Sequence, residues 1–239
     1  MMRFRLPLRR AAFIVAAIAF SVLALLPLRV AAGLFGAEGR GLAAREAAGS
    51  VWLGVLKEAQ FGRVPLGDVG ARLNVLPLFI GRARLSLSRD EADGRFEGAL
   101  IVSRHSYGFD DLEGELDVPG LFAPLPVASL ALQGVSAHFS GGLCESAEGQ
   151  VSATLSGELA GVALPSGLRG DVRCAEGALL IALSSQSAME RVSIRIHGDG
   201  RYRIDLVVRP SDPAARDRLA AAGFVPGPGG YVRRLDGSF

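Results

Sequence analysis

Val192-Ser193-Ile194-Arg195-Ile196-His197-Gly198-Asp199-Gly200-Arg201-Tyr202-Arg203-Ile204-Asp205-Leu206-Val207 decides the fold. Apolar and polar residues alternate on both sides of Gly198-Asp199-Gly200. A period of two puts one strand face on a core and the other on water, and a glycine-flanked Asp between two such runs is a hairpin signal. The same alternation recurs in Arg82 to Ser88, Val127 to Leu132 and Val151 to Leu155. Turn signals separate the runs: Asp90-Glu91-Ala92-Asp93-Gly94, Asp117-Val118-Pro119-Gly120, Ser140-Gly141-Gly142 and Pro165-Ser166-Gly167. No helices interleave, so an antiparallel meander is expected rather than βαβ units. An open meander exposes its edges, so it must close, curl or dock on a partner. The expected class is all-β, a mainly antiparallel, curled meander sheet, with an N-terminal transmembrane helix and one short C-terminal helix.

That short helix is read at Asp212 to Ala222. Asp212 is an N-cap, Pro213 suits the first turn, and Gly223 follows as the C′ stop. Leu76 to Ile80 reads as an apolar turn between strands. Gly227-Pro228-Gly229-Gly230 reads as a loop before a last strand at Tyr231 to Leu235.

The chain has 239 residues and a net charge of +2. Charge divides at residue 30. Arg3, Arg5, Arg9, Arg10 and Arg29 meet no acid before it, giving +5. The rest holds the other 21 of the 26 basic residues against all 24 acids, giving −3. A nucleic-acid-binding body shows a basic patch or stripe, and this one has no such run. Residues 11–28, AAFIVAAIAFSVLALLPL, carry no charge. A membrane helix needs about 20 such residues, and arginines on one flank mark the cytoplasmic side. Residues 1–10 are therefore expected as a cytoplasmic basic tail, with the topology carried by Arg3, Arg5, Arg9 and Arg10. Residues 11–30 are the inner-membrane anchor, 31–48 a tether, and 49–239 one periplasmic β domain. The competing reading is a cleaved signal peptide with its site near Val30-Ala31-Ala32-Gly33, although the apolar core is long for one. Both readings export the body.

Cys144 and Cys174 are the only cysteines. Each precedes an Ala-Glu-Gly that reads as a turn feeding a strand, which suggests neighbouring hairpins with both sulfurs at one end. An exported compartment permits oxidation, so a Cys144–Cys174 disulfide is expected.

Motifs for chemistry are missing. There is no phosphate loop of the G-x-x-x-x-G-K-[ST] type, since Lys57 is the sole lysine, and no G-x-S-x-G elbow. His105, His138 and His197 are scattered and read as strand or turn residues. Asp110, Asp111, Glu113 and Glu115 read as a solvated strand face rather than a cation site, and Asp90, Glu91 and Asp93 as a solvated hairpin tip. No catalytic residue, metal ligand or cofactor is assigned.

Several stretches occur in a telling order. They are Gly49-Ser50-Val51-Trp52-Leu53-Gly54, then Pro65-Leu66-Gly67-Asp68-Val69-Gly70-Ala71-Arg72-Leu73, then Leu76-Pro77-Leu78-Phe79-Ile80-Gly81-Arg82-Ala83. With the paired cysteines and the ending from Gly200-Arg201-Tyr202 to Gly223-Phe224, the layout resembles protein N of the bacterial type II secretion system. The motif positions are Gly49, Val51, Trp52, Gly54, Gly67, Pro77 and Gly81. The resemblance implies a single-pass inner-membrane accessory that contacts other envelope components of that system and is not an enzyme. The body is also similar in style to AsmA-like proteins, which would imply a curved apolar groove for lipid.

Overall fold

The short apolar–polar runs become strands joined mostly by tight turns. A computed structural model describes residues 13–15, 17, 21, 25–30, 42–61, 64–91, 94–118, 126–159, 162–163, 167–210 and 212–238. Arg3, Arg5, Arg9 and Arg10, most of the expected anchor and most of the expected tether lie outside them.

The N-terminal strands are β1 (Leu42–Ala43), β2 (Glu46–Gly49), β3 (Gly54–Phe61) and β4 (Val64–Asn74). One helical turn, α1 (Val75–Leu78), leads to β5 (Ala83–Glu91), β6 (Gly94–Val102) and β7 (Ser106–Asp117). The long strands β8 (Val127–Ser140) and β9 (Leu143–Leu155) follow, then a side ribbon of β10 (Glu158–Leu159) and β11 (Val162–Ala163). The chain continues through β12 (Gly167–Ala175), β13 (Ala178–Ser184), β14 (Glu190–Ile196) and β15 (Arg201–Val208). Helix α2 (Pro213–Ala221) precedes a closing hairpin of β16 (Val225–Gly227) and β17 (Gly230–Ser238).

Fifteen strands form one open sheet, in the order β1-β3-β4-β5-β6-β7-β8-β9-β12-β13-β14-β15-β17-β16, with β2 also on β3. Neighbours in sequence are neighbours in space, as expected for a meander. The hairpin at Gly198-Asp199-Gly200 forms with Gly200 at φ +84°. Its partners stack apolar residues in rows on one face, such as Ile181–Ile194–Ile204–Leu235 and Leu183–Val192–Leu206. Val192, Ile204, Leu206 and Val208 are all buried there. Fully burying each such side chain stabilises by about 1.5–3 kcal/mol.

Helix α2 forms where its caps place it. The Asp212 carboxylate accepts from the Ala214 N–H at 3.0 Å, and Gly223 stops the helix at φ +82°. Leu219, fully buried, and Phe224 pack it onto the sheet. Arg233 shares the apolar face with Leu206 and donates to the Ala222 carbonyl at 2.6 Å, so α2 covers that face at the β15–β17 end.

The sheet bends sharply at its other end. Tyr107 in β7 stacks on Phe139 in β8, with ring centroids 5.3 Å apart, and its hydroxyl donates to the Gly198 carbonyl in the β14–β15 turn. Five inter-strand steps separate β7 from β14 along the sheet, about 24 Å if it were flat. Gly198 also lies against Gly142 in the β8–β9 turn, where a Cβ would fall 2.3 Å from the Gly142 oxygen. The sheet therefore folds over its apolar face here, and Tyr107 and Phe139 fill the space.

Three expectations need adjustment. The expected tether contributes β1 and β2, which pair with β3 through Leu42–Phe61 and Glu46–Lys57. Ala147-Glu148-Gly149 is not a turn but lies within β9. Gly149 takes φ +112° against an irregularity in β8 between Gln133 and Ser136, where a Cβ would meet the Gly134 oxygen at 2.6 Å. The glycine is needed for a bulge, not a reversal. Gly227 and Gly230, expected as the ends of a loop, belong instead to β16 and β17 and pair with each other. Among the described residues no helix is long and apolar enough to cross a membrane.

Candidate interaction site

The motif residues assemble one corner of the sheet. Gly49 ends β2 at φ +85°, and Ser50 and Leu53 close a tight loop through N–H to O contacts of 3.1 and 3.2 Å. Gly54 has no room for a side chain, because a Cβ would sit 2.6 Å from the Leu28 side chain and 2.8 Å from the Ser50 oxygen. Val51, buried inside the loop, donates to the Leu26 carbonyl at 2.9 Å and accepts from the Leu73 N–H at 2.9 Å. An antiparallel bridge joins Pro27 to Ser50. Three segments, 25–28, 50–54 and 73–77, thus meet. Trp52, Leu53, Leu73, Leu76 and Pro77 line a shallow, mostly apolar concavity between them. Gly81, at φ +73°, ends the α1 turn by donating to the Leu78 carbonyl at 3.0 Å.

Gly67 does not join this corner. It lies near the other end of β4 at φ +73°, beside Arg89, whose guanidinium donates to the Leu66 carbonyl at 2.8 Å. Its part is local backbone shape.

The cysteines are bonded, with Cα atoms 5.6 Å apart. The β9–β12 ladder runs from Thr154–Gly167 only as far as Gln150–Asp171. The Cys144–Cys174 bond lies beyond it and, with the Cys144 N–H to Gly177 oxygen contact at 2.8 Å, holds the two strands together there. Cys144 is paired with Phe139, so the bond continues the Tyr107–Phe139 row at the folded-over end. At that end burial pushes the Tyr107 phenol above its usual pKa, and negative Asp199 adds to the rise. Asp199 itself is held below the usual carboxylate range, chiefly by the Arg201 N–H and then by the Arg201 guanidinium.

Pairing register creates one polar group that spacing in the sequence does not reveal. Asp110 pairs with Arg84 and lies 2.9 Å from His138 Nε2, and the Ser146 hydroxyl lies 3.3 Å from His138 Nδ1. The order Ser146–His138–Asp110 is that of a nucleophile, a base and an orienting carboxylate. However, His138 and Ser146 are partners across β8 and β9, on the face opposite Phe139. Strand N–H groups lie in the sheet plane, engaged in the ladder, and cannot converge above it as an oxyanion hole. Arg84 already neutralises Asp110. The row is an ion-pair and hydrogen-bond ladder across β7–β9. Of the neighbouring carboxylates, Glu115 instead accepts from the Ser129 hydroxyl at 2.8 Å. Among the described residues no group of three or more His, Cys, Asp or Glu is placed to hold a metal ion.

Fold and site together define an all-β, disulfide-stapled sheet protein whose most distinctive surface is an apolar corner and whose sheet keeps open edges. Residues 40–234 match the family described as type II secretion system (T2SS), protein N, and the chain belongs to that family. Type II secretion and the cell envelope are thereby its setting. No curated protein and no solved structure matches it.

Proposed function

We propose that this chain is a non-enzymatic accessory component of the type II secretion system, anchored in the inner membrane through the part of residues 11–30 that precedes Leu26, because Leu26 to Leu28 dock on the body. Its arginine-rich N-terminus is cytoplasmic and its body periplasmic, and it aids assembly by binding other envelope components. Family membership carries the setting. The contact mode rests on the edge of β17. The short strand β16 covers only Gly230 to Val232, so Arg233–Ser238 has β15 on one side and no strand among the described residues on the other. A free edge of this length accepts one added strand from a partner. Its side chains are held in extended register by Arg203–Asp236 and Arg234–Asp205 pairs at 2.6 and 2.7 Å.

The lipid-groove alternative requires an empty apolar channel. Tyr107, Phe139 and α2 instead occupy the apolar face near its two ends, which favours the secretion reading. Photo-crosslinking in cells tests the contact, with the reactive side chain placed at Arg234 or Asp236. Adducts to other secretion components are expected there and not from Arg95 on a central hairpin. Adducts from Arg95 alone would place the contact elsewhere. A C-terminal reporter tests topology and is expected to be active only outside the cytoplasm; cytoplasmic activity overturns it.

A further inference from the structure

The apolar corner presents more than a docking hollow. Leu76, Phe79 and Ile80 are 82, 82 and 71% exposed, and Leu53 across the hollow is 66% exposed. Four large apolar side chains this bare on two adjoining loops form a patch that soluble surfaces rarely tolerate without an occupant. We propose that this corner is a membrane foot: the β4–β5 connection, Val75 to Gly81, seats in the headgroup–acyl boundary of the bilayer that holds the N-terminal segment. The inference rests on the anchored reading above.

Two independent observations select lipid. The first is continuity. The apolar stretch 11–28 ends in the residues that fasten here, Leu26 to Val51 and Leu28 to Gly54, while Leu25 just before them is 77% exposed. The chain thus joins the body at the foot itself, with no spacer between the stretch and the corner. The second is charge. Segments 25–30, 50–56 and 69–84 contain no acidic residue and carry Arg29, Arg72, Arg82 and Arg84. Arg84 is spent on Asp110; the others remain as phosphate partners around an apolar tip. Trp52 on the same corner is a side chain suited to an interface, with an apolar body and a polar N–H.

The full-length chain, reconstituted in phosphatidylethanolamine–phosphatidylglycerol vesicles with bromine on the upper acyl chain, tests this. Trp52 is the only tryptophan, so Phe79→Trp in a Trp52→Phe background reports the tip alone. An interfacial side chain sits about 5–10 Å into the boundary, so emission at position 79 is expected to shift blue and fall by about half. Val225→Trp in the same background is the control. Val225 is 62% exposed at the far end of the strands, and its emission should not change. Carbonate extraction reports the anchor separately. A chain that resists extraction but is unquenched at position 79 keeps the anchor and overturns the foot. A chain that is extracted yet quenched loses the anchor and supports the foot. A blue shift without quenching, accompanied by a dimer mass, assigns the corner to a second copy and overturns the proposal.

Discussion

Removing the Cys144–Cys174 bond should weaken the body strongly, because it is the covalent link between β9 and β12 beyond the end of their ladder. The cysteines are 30 residues apart. Closing a loop of that size restricts the unfolded chain by about 3.6 kcal/mol at 25 °C in the chain-entropy treatment. For a domain of 150–250 residues each kcal/mol shifts Tm by about 2–4 °C, so the double variant Cys144→Ala/Cys174→Ala should melt about 7–14 °C lower. The loss should also be local. The β9–β12 ladder stops at Gln150–Asp171, while β8 still pairs with residues 144–147, so in the double variant the amide at position 144, which donates to Gly177, should exchange faster than in the wild type, and the amides of 151–154 should change less. Calorimetry of the wild type, the reduced wild type and the double variant measures the first effect, and hydrogen exchange the second. A Tm change within about 2 °C, or thiol labelling of the native wild type, would refute the reasoning.

Tyr107→Phe removes the donor to Gly198 and should cost about 1 kcal/mol. Its pH dependence is a sharper test. The folded chain holds the phenol proton to higher pH than the unfolded chain does. The stabilisation is therefore complete below the ordinary tyrosine pKa of about 10 and is lost as pH rises through the raised folded value. A urea titration series from neutral to alkaline pH should show that loss in the wild type and a smaller one in Tyr107→Phe. Equal losses would count against the contact. Gly54→Val forces a side chain onto Leu28 and the Ser50 carbonyl. It should destabilise by about 1–3 kcal/mol and raise proteolysis between residues 25 and 50, as peptide mapping would show; unchanged proteolysis would contradict the docking of Leu28.

What the sequence revealed were features with local causes. The 192–207 hairpin is fixed by alternation and a glycine turn, and α2 by Asp212, Pro213 and Gly223. The disulfide followed from the expectation of export and an even cysteine count. What it hid depends on distant contacts. Tyr107 and Gly198 are 91 residues apart, so the bend cannot be seen in any local period. Residues 42–49 are Ala-rich and become strands because β3 offers an edge. The likeness of the two Ala-Glu-Gly stretches misled, because one carries a bulge and the other a turn. Asp110, His138 and Ser146 meet only through β7–β8–β9 register. The motif at Gly49 and Gly54 was visible as a pattern, but its cause, the tucked Leu28, was not.

A secretion role for this chain requires no catalysis by it. The most direct measurement is export of a folded type II substrate from cells lacking this chain, complemented in turn by the wild type and by Ser146→Ala/His138→Gln. Export should fall without the chain and return equally with both. Export that is unaffected by its loss, or that the wild type restores and the equally abundant double variant does not, would contradict the claim.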